Sequence, residues 1–259
     1  PRRPVMLEPG ICIVAQGKKI GYLGDQVFQY DKNNYLVTSV AIPFECETFA
    51  TPDKPLLGIY IEIDLRQLHD LISQMSSEVG IRSAKTKGLP RGIGPAFLDE
   101  DIKDAAVRML KCLHSETESR ILGPGLIREV LFRALGGGQA PLLYALAMHN
   151  GLFFQVATAL QLIHRHYPDK LDVERLANTA RMSVSAFHKA FKEVTSDSPM
   201  QYLKKFRLAR ARDFIVQAGM KSYIAADKVG YESPSQFSRE FKRYFGQNPT
   251  DTLRQSNAA

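Results

Sequence analysis

An α+β chain of two domains is predicted: an antiparallel β-barrel or jelly roll, a helical connector, and an all-α C-terminal domain holding one small unit built twice. Three observations predict it. Short β-rich runs broken by Gly, Asn and Pro fill residues 5–63. Apolar residues recurring at three and four take over downstream. Near the end, Ser183, Phe187, Phe191, Lys192 and Pro199 return as Ser233, Phe237, Phe241, Lys242 and Pro249, every member offset by 50. Five matches at one offset mark a repeated structural unit.

The elements follow in order. Ile11–Ala15 is an apolar run, Gln16-Gly17 a turn, and Lys18–Tyr22 the returning strand. Gln26–Tyr30 and Tyr35–Val40 are separated by the turn-rich Asp31-Lys32-Asn33-Asn34, and Leu56–Ile63 is a further strand. Asp64 caps a helix over Leu65–Met75. Residues 79–97, with Gly80, Gly88, Pro90, Gly92, Gly94 and Pro95, read as a loop. Helices are expected over Leu98–Leu113, Gly125–Leu135 and Pro141–Met148, the second closed by Gly136-Gly137-Gly138. Asn150-Gly151 is the expected domain boundary. Beyond it come Leu152–His166, stopped before Pro168, and a helix capped by Asp172. The first repeat helix opens at Ser183 and a long helix runs from Ser198-Pro199 to about Val216. A small helix covers Ile224–Val229, and the second repeat helix opens at Ser233-Pro234. The domains are therefore 1–78, a β-domain; 79–150, a linker and helical segment; and 151–259, the repeated unit.

Charge is divided unevenly. Residues 1–151 hold 17 Lys+Arg against 17 Asp+Glu, whereas residues 152–259 hold 17 against 10, so the whole net charge of +7 lies with the repeat. A basic half with a duplicated helical unit points to a polyanion, against the plain alternative of a solvated surface. No run of apolar residues is long enough to span a membrane. Cys12, Cys46 and Cys112 are too far apart for a disulfide framework or zinc cluster and suit a reducing cytoplasm. The chain starts at Pro1 without Met, so an N-terminal stretch is expected to precede it.

In each repeat, Ser caps a helix start and two Phe four apart fall on one face, leaving the other face free. Helix, tight turn, helix is the geometry of the helix-turn-helix reader, whose second helix enters the major groove. Two such units can read groove segments roughly 34 Å apart. Gly230–Gly246 (GYESPSQFSREFKRYFG), Leu176–Lys192 (LANTARMSVSAFHKAFK) and Arg207–Arg212 (RLARAR) resemble the signature of the AraC/XylS family of bacterial transcription regulators. Glu8–Asp25 (EPGICIVAQGKKIGYLGD) and Tyr30–Glu45 (YDKNNYLVTSVAIPFE) are similar to the sensing domain of one of its subgroups. The sequence departs from the general pattern at Ser196, where the family has Gly, at Ala225, where it has a bulky aliphatic, and at Thr252-Leu253, where it has Tyr-Arg.

The resemblance implies a cupin-like effector-sensing barrel, a helical dimerisation segment and a double helix-turn-helix. It also implies a homodimer that binds double-stranded DNA through the major groove, in the cytoplasm, with RNA polymerase a further candidate partner. Carried over residue by residue, it implies base contacts by Ser185, His188 and Lys189 in the first reading helix and Ser235, Gln236 and Arg239 in the second. Phosphate contacts fall to Ser183, Lys192, Ser238, Lys242 and Arg243. Arg239 suits guanine and Gln236 suits adenine, while phosphate contacts position without specifying. Plainer readings stand beside these: Ser233 and Gln236 have capping-box spacing, Lys189 and Lys192 can be solvated charges, and His188 can bond locally. Phe28, Tyr30, Tyr35 and Phe44 are candidate effector-pocket residues, with core packing as the alternative.

No metal site, cofactor or enzyme is expected. The β-region has no His, His164 and His166 point apart on a helix, and no G-x-S-x-G occurs. Two other readings stay open, an effector-independent architectural DNA-binding protein and a barrel enzyme fused to a DNA-targeting module.

Overall fold

The computed structural model describes residues 2–75, 89–147 and 151–256, with the side chains of 253–256 outside the description. Residues 79–88 of the expected loop, Met148 and Asn150 lie outside the described residues. Contacts divide the chain into two compact units. One comprises Leu7–Ile42 and Cys46–Phe154; the other runs from Gln155 onward and includes Arg2–Met6 and Pro43–Glu45.

The strands are β1 (Arg3–Leu7), β2 (Gly10–Gln16), β3 (Lys18–Leu23), β4 (Gln26–Asp31), β5 (Asn34–Thr38), β6 (Ile42–Phe49), β7 (Leu57–Glu62) and β8 (Ile93–Phe97). They form two four-stranded sheets, ordered β1-β6-β3-β4 and β7-β2-β5-β8. In the second sheet β2 pairs antiparallel with β5 (Cys12 opposite Leu36) and with β7 (Cys12 opposite Tyr60). β4 packs across β2, β5 and β8, so the sheets face each other. Gly17, at φ 86, makes the β2–β3 turn. The Asp31 carboxylate accepts the Asn33 N–H at 2.9 Å where the chain leaves one sheet for the other.

Three strands go beyond the sequence expectation. β1 precedes the first apolar run and β6 carries polar Glu45 and Glu47 among its residues. β8 lies inside the expected loop: its Pro95 sits opposite Leu36 on an edge strand, where a missing N–H is tolerated.

Asp64 caps α1 (Leu65–Gln74), accepting from the Arg66 and Gln67 N–H groups. Asp99 caps α2 (Glu100–Cys112). α3 runs over Glu116–Ala134, capped by Ser115, so it starts well before the expected Gly125. It passes through Gly123-Pro124-Gly125 without a break. α4 (Ala140–Ala147) follows the Gly136-Gly137-Gly138 turn. The Gln139 amide donates to the Pro95 carbonyl at 3.0 Å, tying that turn to β8.

The second unit is helical: α5 (Gly151–His166), α6 (Val173–Thr179), α7 (Val184–Thr195), α8 (Pro199–Gln217), α9 (Ser222–Lys228), α10 (Pro234–Phe245) and α11 (Pro249–Ser256). Asp172 caps α6, and Ser198 with Gln201 forms a capping box at α8. α11, beyond the expected elements, opens on Pro249 as α8 opens on Pro199. Leu208, Ala211 and Ile215 of α8 meet Ala225, Ala226, Val229, Phe237 and Phe241 in one apolar core.

The repeat is visible at its helix ends. α7 ends at Ser196 with φ 62 and α10 at Gly246 with φ 75, each N–H bonding a lysine carbonyl, Lys192 or Lys242, at 2.8 Å. This left-handed end favours glycine, and Ser196 occupies it with a Cβ. Ser196→Gly is expected to raise stability by about 1 kcal/mol, the left-handed strain relieved less the entropy glycine loses. A denaturant midpoint that does not rise would contradict this.

Candidate nucleic-acid interface

Each reading helix is held by its inner face. Phe187 and Phe191 of α7 are buried with ring centroids 5.4 Å apart, and Phe191 meets Tyr202 of α8 edge-on at 5.5 Å. Phe237 and Phe241 of α10 repeat the arrangement at 5.4 Å, with Phe245 4.5 Å beyond. Each start is capped: Ser183 Oγ accepts from Ala186 N, and Ser233 Oγ from Gln236 N, both at 3.3 Å.

With those faces buried, the opposite ones are presented to solvent. Ser183, Ser185, His188, Lys189 and Lys192 are all exposed on α7 or at its cap. Ser235, Gln236, Ser238, Arg239, Lys242 and Arg243 are exposed on α10. Every residue assigned to DNA is therefore reachable, and Arg239 and Lys242 lie one turn apart on one face. The Gln236 side chain donates to Glu240 at 3.4 Å instead of reaching back to the cap, so no capping box closes here.

Glu240 is the hub of a polar cluster. It accepts from the Tyr231 hydroxyl at 2.9 Å and pairs with Lys204 of α8 at 3.4 Å. Burial pushes its carboxyl pKa up, but the hydrogen bonds from Tyr231 and Gln236 and the charge of Lys204 outweigh it and hold the pKa below the usual range. A cleft of about 340 Å³ between α8 and the second helix-turn-helix is lined by Met200, Leu203, Lys204, Arg207, Tyr231 and Glu240 among others. Nothing in the sequence pattern singled out Glu240 or Tyr231, whose roles come from the folded chain.

The two helix-turn-helix turns are built alike with one difference. Arg181 (φ 54) and Gly230 (φ 83) take the same left-handed place, each N–H bonding the carbonyl of Asn178 or Asp227. Arg181 lies two residues before its Ser cap and Gly230 three before its own, so the second reading helix follows a longer lead-in.

On the strands, Phe28, Tyr30, Tyr35 and Phe44 are all buried, but they do not converge on one place. Phe28 and Tyr30 stack at 6.2 Å, and the Tyr30 hydroxyl lies 3.4 Å from Cys46 Sγ. Phe44 shares a face of β6 with Cys46 by strand alternation. Tyr35 alternates with Leu36 onto the other face of β5, its hydroxyl against Gly137, where an added Cβ would stand 2.4 Å away. Burial pushes its pKa up to about 12, with Asp99 adding to the effect. Burial also raises the Cys12 thiol, with Lys19 opposing, a direction that disfavours the reactive thiolate. Among the described residues no three His, Cys, Asp or Glu side chains are grouped to hold a metal, and no single helix is long and apolar enough to cross a membrane.

Residues 1–142 match the family model of the AraC-type transcriptional regulator N-terminus, more than half of the chain. The chain belongs to the AraC-type transcriptional regulators. Residues 176–255 match a helix-turn-helix domain model, which covers both units of the repeat. Curated relatives align with part of this chain. The HTH-type transcriptional regulator AlkR of Acinetobacter baylyi is 37% identical over 103 residues, 39% of this chain and 33% of that protein. The transcriptional activator RclR of Escherichia coli is 36% identical over 77 residues, 30% and 27%. The chain thus spans about a third of the length of these curated relatives. ToxT of Vibrio cholerae, in its apo form, shares the fold at a TM-score of 0.65 with 9% identity, covering 98% of this chain and 93% of that one.

Proposed function

We propose that this AraC-type chain is a sequence-specific DNA-binding transcription regulator whose β-unit senses a small molecule. The observation that carries the reading is the matched pair of capped, Phe-anchored helices that turn Ser185, His188, Lys189 and Ser235, Gln236, Arg239 outward in the basic half of the chain. Selection of bound duplexes from a randomised pool tests it; recovery without any base preference would leave only the architectural reading. On this reading the chain is cytoplasmic and not an enzyme. ToxT has been solved with an unsaturated fatty acid bound. In this chain an apolar effector would meet Phe28 and Tyr30 between the sheets, whereas Tyr35 acts from the helical side.

Arg239→Ala is expected to relax base preference in the half of the site read by α10, at about 1–3 kcal/mol, because a bidentate guanine contact is lost. Lys242→Ala is expected to weaken all sequences alike. Unchanged preference in Arg239→Ala would mean that α10 docks in another way.

Dimerisation falls to the helices of the first unit. Val107, Leu110 and Leu113 follow α2 into its end at a spacing of three, and Ile121, Leu122 and Phe132 stand out on α3, all of them exposed. A second copy would cover this surface, so the full chain is expected to sediment as a dimer and Leu113→Asp with Ile121→Asp as a monomer. A wild-type chain that is monomeric at tens of micromolar would place pairing on DNA alone.

A further inference from the structure

Arg207 lies on α8, the helix between the two helix-turn-helix units, and its guanidinium is turned inward. Its Nε–H donates to the Tyr167 carbonyl at 2.6 Å, and its terminal nitrogens donate to the carbonyls of Asp169 at 2.8 Å and Gly230 at 3.2 Å. Tyr167 and Asp169 lie in the turn that leads from α5 into the first helix-turn-helix. Gly230 is the left-handed turn residue of the second. One planar fork therefore ties the turn entering the first helix-turn-helix to the turn inside the second, and a fork that is rigid and always charged suits this better than a flexible ammonium. Burial pushes its pKa down, with Tyr231 and Asp169 opposing; three carbonyl dipoles stand in for lost water.

The two turns are also seated directly on each other. At Gly230 a Cβ would stand 2.1 Å from the Pro168 carbonyl oxygen, a separation no side chain tolerates, and φ there is 83. Tyr167 packs against the apolar core of the second helix-turn-helix, and Lys204 of α8 pairs with Glu240 of α10 at 3.4 Å. The continuous helix α8 already links the units, and this junction braces them a second time, across the bend.

We infer that Arg207 is a positioning residue for DNA reading: by clamping the two turns it fixes the distance and rotation between α7 and α10, so the protein selects its sites by the spacing of two half-sites as well as by their bases. The inference rests on the DNA-reading function proposed above. One inserted base pair moves a half-site by about 3.4 Å and turns it by roughly 35°, as follows from the pitch of the duplex. A rigid pair of readers cannot follow that displacement, and a loosened pair can.

The test uses the full chain and the duplex selected by the wild-type protein, with one or two base pairs inserted or deleted between the halves read by α7 and α10, together with a duplex keeping one half only. Wild type is expected to lose roughly 10–100-fold on a one-pair change, the value of one reader's base contacts. Arg207→Ala is expected to lose less than about threefold on the same change, while its affinity for the single half stays at the wild-type value, a pattern that general destabilisation does not produce. Arg207→Lys, which lacks the fork, is expected to fall between them and serves if the alanine variant fails to fold. Gly230→Ala, which must push the Pro168 turn away, is expected to move the preferred spacing. A variant with the full wild-type spacing penalty overturns the inference, as does a wild type indifferent to spacing. A wild type that binds no duplex at all overturns the functional reading instead.

Discussion

Raising monovalent salt from 50 to 200 mM is expected to weaken DNA binding by the full chain by roughly 40-fold for each chain bound. Lys192, Lys242 and Arg243, the cations expected on phosphates, are exposed on the two reading helices, and the net charge of +7 lies in that half of the sequence. If each of these three cations neutralises one phosphate, log K falls with log salt at a slope of about −2.7, and a fourfold rise in salt gives the figure stated. Two chains on one operator would double the slope to about −5.4, so titrations at several salt concentrations also count the bound protomers. Lys242→Ala is expected to lower the slope by about 0.9 for each chain. The measurement is an equilibrium binding titration by fluorescence anisotropy, and a slope near zero would remove phosphate contact from the account.

What can be seen in the sequence follows from how local the cause is. The strands expected over Lys18–Tyr22 and Gln26–Tyr30, the caps at Asp64 and Asp172, and the Phe pairs of the repeat are each set by residues within a turn or two, and they match the structure to within a residue. β8 was hidden because Gly92, Gly94 and Pro95 read as breakers, and only the edge place beside β5 makes them tolerable. α3 extends through Gly123-Pro124-Gly125, where added Cβ atoms at the two glycines would meet open space; local propensity there is overridden by the packing of its later turns, Val130, Leu131 and Ala134. The exposed residues of the candidate site followed from the same helical period that buried the phenylalanines. The role of Arg207 did not. RLARAR marks a basic stretch, but the carbonyls that Arg207 holds come from Tyr167, Asp169 and Gly230, far along the chain on either side. Residue type alone groups Tyr35 with the other aromatics, whereas its place in β5 turns it to the other side, against Gly137.

Acidification is expected to destabilise the second unit by about 3 kcal/mol through His164 alone. His164 is buried, stacked on Phe206 with ring centroids 4.5 Å apart, and shares a 2.7 Å hydrogen bond between Nε2 and the Tyr202 hydroxyl. Burial pushes its pKa down from 6.5 to about 4, and the charge of Arg210 adds to the effect. At pH 7 the imidazole is neutral in both the folded and unfolded chain, so the folded state carries no penalty. As the pH falls below 6.5 the unfolded chain takes up a proton that the folded one refuses, and stability is lost progressively until about pH 4, where the folded imidazole is protonated as well. The stated loss is the separation of the two pKa values at about 1.4 kcal/mol per unit. Hydrogen exchange at the core amides of α5 and α8 reads the opening free energy of this half without requiring the whole chain to unfold in one step. Carboxylates titrate over part of the same range, so the decisive quantity is the difference between wild type and His164→Gln. That difference should be flat above pH 7 and should shift in favour of the variant between pH 6.5 and 4. Parallel profiles would show that this histidine is protonated in place, and that its stacking on Phe206 tolerates the charge.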